Sequence, residues 1–313
     1  MGTPEFAVET LKALVENNYN VVAVVTQPDK PVGRHQTEMQ PSQVKQYAVA
    51  HGLPVLQPEK MKDPEFVEQL RSYNANLQVV VAFRMLPEVV WAMPEYGTFN
   101  VHAALLPQYR GAAPINWAVI NGETQTGVTT FFLDHDIDTG RIILKKTFDI
   151  PDEADVEYVY DGLMHLGAEI CLETLEAIVA ANGHPDSIPQ DSVLDGSAIK
   201  PAPKIFKETC EIDWKKTAKQ VYDFVRGLSP YPGAWTTLVA PDGKETVLKI
   251  YKTRKTGKPG KGIGTITIEG KALCVSAADE QLEIIELQLA GKKRMMARDF
   301  LNGMKQIEDY RVK

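Results

Sequence analysis

Asn100 and His102 flank Val101, and in an extended strand residues i and i+2 project from the same face. An amide and an imidazole therefore stand side by side there. Ala104, Leu105, Leu106 and Pro107, followed by Arg110 and Gly111, cannot prolong the strand, because Pro107 lacks an N–H and Gly111 invites a turn. A shaped loop at a strand end is where open α/β sheets hold ligands. After the apolar residues 128–133 comes Asp134-His135-Asp136-Ile137-Asp138-Thr139-Gly140, a carboxylate-rich turn able to fold back over the same strand end. Amide, imidazole and carboxylate would then converge, the groups from which oxyanion stabilisation and proton transfer are built. Taken singly, each of the three reads equally well as a satisfied turn or strand-end residue. The turn suits a metal poorly: it holds one His, its spacing matches no zinc pattern, and consecutive turn residues diverge.

The order N-V-H, x-L-L-P-x-x-x-G-x-x-P and D-x-x-x-D-T-G resembles the folate-dependent formyltransferase superfamily. The resemblance implies catalytic roles for Asn100, His102 and Asp138. It is closer still to the methionyl-tRNA formyltransferases, through T-Q-P-D-K-P-V-G-R from Thr26, R-G-A-A-P-I from Arg110 and A-G-K-K-R-M from Ala290. Nearly the whole chain takes part. The implied donor is 10-formyltetrahydrofolate, its pterin lined by Phe83, Arg84, Met85 and Leu86, largely through backbone groups, and its site bordered by Ala104, Leu105, Leu106 and Pro107. The family often has Ser where Ala104 stands, so any hydrogen bond from that hydroxyl is absent here. The implied acceptor is the α-amino group of methionine on initiator tRNA. Lys30 and Arg34, in the polar loop 27–41, match an insertion that approaches the tRNA acceptor end. Lys204, Lys207, Lys255, Lys258, Lys292, Lys293 and Arg294 are the further residues expected to bind tRNA.

Composition sets outer limits. The 313 residues are enough for a large and a small domain, and 44% hydrophobic content is ordinary for a folded chain. No apolar run is long enough to span a bilayer, and M-G-T-P-E-F has neither region of a signal peptide, so a cytoplasmic protein without membrane contact is expected. Cys171, Cys210 and Cys274 are odd in number and far apart, which suits packed thiols. The net charge of −7 hides an asymmetry: residues 200–313 hold 22 Lys and Arg against 14 Asp and Glu, leaving 12 against 27 in residues 1–199. An acidic body thus carries a basic tail, fit for a phosphate backbone or simply a solvated basic surface.

The elements that must position the site follow from periodicity. Thr3 reads as an N-cap with Pro4 in the first helical turn, ahead of a helix to about residue 16. Strands are expected at 21–25, 53–56, 77–83 and 141–150, and helices at 43–51, 64–73, 115–120 and 156–181. This alternation indicates a mostly parallel sheet covered on both faces. A helix leading to a parallel strand needs an earlier strand, and only Met1 and Gly2 precede Thr3, so that first strand is expected to be missing. His165 is expected on a helix surface or in packing. Residues 183–206, rich in Gly and Pro, read as a linker. A helix is expected over 214–227, then five short strands that suit a barrel of OB type, then a closing helix over 295–304. The fold class is therefore α/β, a Rossmann-like domain at 1–182, a linker at 183–206 and an OB-like barrel at 207–313, and the resemblance implies that the first is the formyltransferase domain and the last binds tRNA. A monomer is expected.

Formyl transfer to an amine needs a donor pocket, a neutral amine, stabilisation of the oxyanion and a proton for the departing nitrogen. Asn100 can donate to the oxyanion. His102 can stabilise it or act as general acid or base, and Asp138 can orient His102 or accept the amine proton through a water. Two other readings stay open: a sugar-nucleotide formyltransferase, which shares the three residues but needs no basic surface, and a noncatalytic RNA-binding protein with a relic site.

Overall fold

A computed structural model describes residues 1–32, 38–194, 196, 198–304 and 306–313, so Arg34 lies outside the described residues. Two compact units result. The first comprises Met1–Gly111, Gln125–Asp149 and Tyr160–Pro201, and the second Ala112–Thr124, Ile150–Val159 and Ala202–Lys313.

In the first unit, α1 (Glu5–Glu16), β1 (Val24–Val25), α2 (Gln43–Ala50), β2 (Val55–Leu56), α3 (Pro64–Ser72), β3 (Gln78–Val81) and β4 (Thr98–His102) follow in order. Helical crossovers favour parallel pairing, and β1 pairs with β2, and β3 with β4, in that sense. Between β1 and β3 lie Met1 and Gly2, where the strand ahead of α1 belongs. Gly2 N–H donates to Val25 O at 3.0 Å and Val81 N–H to Met1 O at 2.9 Å. Beyond β4 the sense changes. The strands β5 (Gln125–Phe132) and β6 (Ile142–Asp149) pair antiparallel, because the short link between them holds no helix to carry a crossover, and β5 also pairs antiparallel with β4.

The long helix α4 (Val156–Ala180) covers one face, with Leu163, Ile170 and Ile178 fully buried and Thr174 Oγ1 2.8 Å from Thr130 Oγ1 on β5. His165 stands on its exposed side, 3.9 Å from Glu9. Thr3 does not cap α1: Pro4 is the N-cap and makes no side-chain cap bond, while Thr3 Oγ1 is buried without a partner among the described residues. The strand contacts of Met1 and Gly2 hold the chain extended to that point, one residue upstream of where a cap must sit.

In the second unit, α5 (Ala218–Gly227) precedes β7 (Ala234–Val239), β8 (Glu245–Pro259), β9 (Ile266–Glu269), β10 (Ala272–Ser276), β11 (Glu280–Leu289), α6 (Ala297–Gly303) and β12 (Arg311–Val312). The strands form one antiparallel sheet in the order β9-β10-β11-β8-β7-β12. A bridge between Thr265 and Arg311, with Val312 N–H on Gly264 O at 3.1 Å, brings its two ends together. Register shifts along β8, between Ile250 and Lys252 and between Lys255 and Pro259, let that long strand coil. The curled sheet is the OB-like architecture expected.

Two expected helices are shorter in the structure. Trp214 does not start α5, because Thr217 and Gln220 form a reciprocal capping box that sets the start at Ala218. The indole of Trp214 enters the core and donates to Thr236 Oγ1 at 3.0 Å. Met295 and Met296 pair with β11 and leave only Ala297–Gly303 helical. Cys171, Cys210 and Cys274 are all buried and free. Among the described residues, no helix is long and apolar enough to cross a membrane.

Candidate active site

β4 projects Asn100 and His102 from one face of the sheet. The His102 Nε2–H donates to Tyr109 O at 2.9 Å. A carbonyl can only accept, so in the neutral ring Nε2 carries the hydrogen and Nδ1 holds the lone pair. That Nδ1 faces Asp138 Oδ2 at 4.0 Å, with the two side chains 7% and 13% exposed. Asp138 Oδ2 also accepts Gly111 N–H at 3.0 Å. The loop Tyr109 to Gly111 thus touches both catalytic candidates.

This geometry asks for unusual backbone. Tyr109 and Asp138 sit at φ of 61° and 56°, a left-handed conformation costing about 1–2 kcal/mol for an ordinary residue. Gly140 is required for space, since a Cβ there would meet Phe132 O at 1.6 Å. Asp134, His135 and Thr139 of the turn are engaged within it or beside it. Asp134 Oδ1 accepts from Asp136 N–H and from Thr139 Oγ1, and His135 lies exposed, 3.8 Å from Glu88. Asn100 Oδ1 is buried and has no hydrogen-bond partner among the described residues. Such an atom costs about 1–3 kcal/mol when left unsatisfied.

The donor-lining candidates divide by burial. Ala104 and Leu106 are fully buried, and Pro107 is buried as well. Ala104 and Leu106 are pinned through Thr129, whose Oγ1 donates to Ala104 O at 2.6 Å and accepts Leu106 N–H at 3.1 Å. These residues give the loop its shape, while the half-buried Leu105 leaves side-chain surface available. Phe83 and Leu86 pack against the apolar cluster of Val25, Leu56 and Phe66, and Met85 is 71% exposed. Arg84 lies over the Phe83 ring and is tied back by donating to Glu59 O and Pro58 O.

The basic candidates are in two states. Lys255 Nζ meets Asp152 at 2.5 Å, Arg294 meets Glu286 at 2.6 Å and stacks over Tyr251, and Lys258 is paired with Glu269. These cations are already neutralised at close range. Lys292, Lys293, Lys204 and Lys207 are exposed, and Lys204 lies over the exposed ring of Phe206 at 5.4 Å. Lys30 is exposed on a hairpin of Lys30–Val32 with Glu38–Gln40. Asp29 fixes its base by accepting from Lys45 at 2.6 Å and Gln57 at 2.7 Å, and these bonds hold its carboxyl below the usual range.

Two residues of the site escape sequence reasoning. Thr129 gave no signal beyond a strand position. Gln190, in the stretch expected to be a linker, is 2% exposed and lies on a 3-10 turn, Gln190–Val193. Its amide bonds to Arg110, Asp138 and Gly140. The Pro and Gly around it concealed that burial.

A family model described as formyl transferase matches residues 1–175, and one described as formyl transferase, C-terminal domain, matches residues 204–305. The methionyl-tRNA formyltransferase of Parabacteroides distasonis is 59% identical over 317 residues, covering 100% of this chain and 97% of that protein. That of Bacteroides fragilis is 55% identical over 315 residues, with 100% and 96% covered. Among solved structures, the sugar 3N-formyl transferase WlaRD, determined in the presence of dTDP and 5-N-formyl-THF, aligns with a TM-score of 0.63 at 18% identity, covering 93% of this chain and 97% of that one. HypX from Aquifex aeolicus in complex with tetrahydrofolic acid aligns with a TM-score of 0.56 at 21% identity, covering 82% and 44%. At these identities the two structures speak to the fold alone.

Proposed function

The chain belongs to the formyl transferase family, and from its full-length likeness to methionyl-tRNA formyltransferases we infer that it formylates methionine on initiator tRNA, supporting translation initiation. The donor is 10-formyltetrahydrofolate and the reaction cytoplasmic. The observation that carries the reading is the packing of His102 between Tyr109 O and the Asp138 carboxylate, on the strand face that also bears Asn100.

The amine needs placement more than a strong base. An α-amino group has a pKa of about 8, and esterification of its carboxyl lowers that, so much of it is neutral near pH 7. As the amine attacks the formyl carbon, a C–N bond forms and the formyl oxygen gains charge. Asn100 donates its Nδ2–H to that oxygen, a contact worth about 2.7–4 kcal/mol in comparable oxyanion sites. The proton released by the attacking nitrogen passes to His102 Nδ1, and Asp138 stabilises the imidazolium across the gap between them. The same proton then goes to the folate nitrogen as its bond to the formyl carbon breaks, and His102 returns to its starting form.

Residues 1–182 are the catalytic domain in this reading and 207–313 bind tRNA, with 183–206 connecting them. Lys30, Arg34, Lys204, Lys207, Lys292 and Lys293 contact the phosphate backbone. Lys255, Lys258 and Arg294 join them once their carboxylate partners yield. The test is transfer of labelled formyl from 10-formyltetrahydrofolate to methionyl initiator tRNA by the 313-residue chain. Formylmethionyl-tRNA is the expected product. A folded chain that leaves methionyl-tRNA untouched but formylates an amino sugar nucleotide would overturn the reading.

A further inference from the structure

We propose that Gln190 is a positioning residue for formyl transfer, holding together the two segments that aim His102 and Asp138; the inference rests on the function proposed above. Residues just before it are tied to the sheet, because Ile188 and Ile142 exchange both backbone hydrogen bonds at 2.9 Å. The side chain of Gln190 then reaches inward, and the residue is 2% exposed. Its Oε1 accepts from Arg110 Nε at 3.0 Å and Nη2 at 2.7 Å, and its Nε2 donates to Asp138 O at 2.8 Å and Gly140 O at 2.9 Å. A guanidinium only donates and a carbonyl only accepts, so these partners dictate which way the amide faces. Both amide hydrogens and both oxygen lone pairs are used.

The four bonds link the pieces that matter. Arg110 lies between Tyr109, whose carbonyl accepts from His102, and Gly111, whose N–H reaches Asp138 Oδ2. Asp138 and Gly140 belong to the turn in which Asp138 takes its left-handed conformation. One amide therefore joins the segment that orients the imidazole to the turn that carries the carboxylate. Misplacement of about 1 Å in such a site can cost a hundredfold in rate. No other natural side chain of that length offers two donors and an acceptor in this layout.

Two variants separate the halves of this contact. Gln190→Met removes all four bonds at similar length. Gln190→Glu keeps an acceptor for Arg110 but cannot donate to Asp138 O or Gly140 O. Steady-state kinetics are measured on full-length protein with 10-formyltetrahydrofolate and methionyl initiator tRNA, beside the parent chain and Ser192→Ala. Ser192 lies on the same 3-10 turn, exposed, and among the described residues its hydroxyl bonds only Pro189 O, at 2.7 Å. The expected result is that both Gln190 variants lose roughly tenfold to a hundredfold in kcat, with KM for either substrate within about twofold of the parent, while Ser192→Ala is unaffected. A role confined to folding would lower the concentration of active enzyme without changing kcat per folded molecule. Should Gln190→Met not fold, Gln190→Glu and Arg110→Met carry the test, and both must show the same kcat-specific loss. Unchanged kcat in folded Gln190→Glu, or a loss expressed only in KM, overturns the proposal. Absence of transfer by the parent chain would instead overturn the functional reading.

Discussion

Two shielded aspartates, one in each unit, are held in opposite ways. Asp223 on α5 meets Lys219 Nζ at 2.5 Å and Arg226 Nε at 2.8 Å, and Arg226 is itself buried and donates to Ala154 O at 2.9 Å. Asp138 meets no lysine or arginine among the described residues. Its carboxylate is held by Gly111 N–H, with His102 Nδ1 4.0 Å away. A carboxylate neutralised by two cations has little left to gain from a further proton nearby. One held by a neutral donor beside an imidazole still gains when that ring becomes charged, and so can take part in a reaction.

The largest expected effects test this contrast at its reactive end. Asn100→Ala, His102→Ala and Asp138→Ala should each lower turnover per folded molecule roughly a hundredfold to ten-thousandfold, with tRNA Kd nearly unchanged. Near-normal turnover in any two of them removes the constellation from catalysis. At the structural end, Asp223→Ala leaves the Arg226 guanidinium buried without its counterion, which should destabilise the chain by about 3–5 kcal/mol in urea unfolding. Replacing both residues together, Asp223→Leu with Arg226→Leu, should recover much of that loss. A single variant within about 1 kcal/mol of the parent would mean that water replaces the missing carboxylate.

A smaller effect is expected at Thr129, which pins the loop at Ala104 and Leu106 and lies outside the proposed chemistry. Thr129→Val keeps the shape but leaves Leu106 N–H and Ala104 O without this hydroxyl. A loss of about 1–3 kcal/mol in stability is expected, with a lower kcat as the loop at Leu105 shifts. Full stability in urea unfolding would mean that the loop finds other partners.

The reactive half of this comparison was more legible in the sequence than the structural half. The period-two rule alone puts Asn100 and His102 on one face, whereas the roles expected of them and of Asp138 came from the family resemblance of the motifs that carry them. Gly140 was equally visible as part of a motif, though only the structure shows the carbonyl of Phe132 that makes it necessary. Gln190 and Thr129 act through partners 50 or more and 23 or more residues away, respectively, and no local pattern encodes such pairings. The antiparallel edge at β5 and β6 was within reach, since nothing helical separates the two runs, but the regular alternation upstream suggested parallel order. In the second unit, β8 continues to Pro259, past the point where apolar alternation gives way to Lys and Thr. Cross-strand bonds to β11, rather than apolar character, sustain it there.

The smallest expected effect carries the comparison onto the surface of the barrel unit, where lysines are again either spent or available. Lys258 is paired with Glu269, and their shared hydrogen bond raises the lysine pKa and lowers that of the glutamate. Lys293 is exposed in the turn that precedes Arg294. When a lysine leaves a carboxylate to meet a phosphate, the vacated carboxylate takes up a cation, so the net release of counterions is smaller. Lys293→Ala should therefore lower the slope of log Kd against log salt for tRNA by about 0.7–0.9, and Lys258→Ala by clearly less. Glu269→Gln frees Lys258 and should steepen the slope in the parent background while leaving it unchanged when Lys258 is already Ala. Equal flattening by Lys258→Ala and Lys293→Ala would show that the ion pair opens freely on binding. No flattening by either would move the tRNA surface away from both lysines.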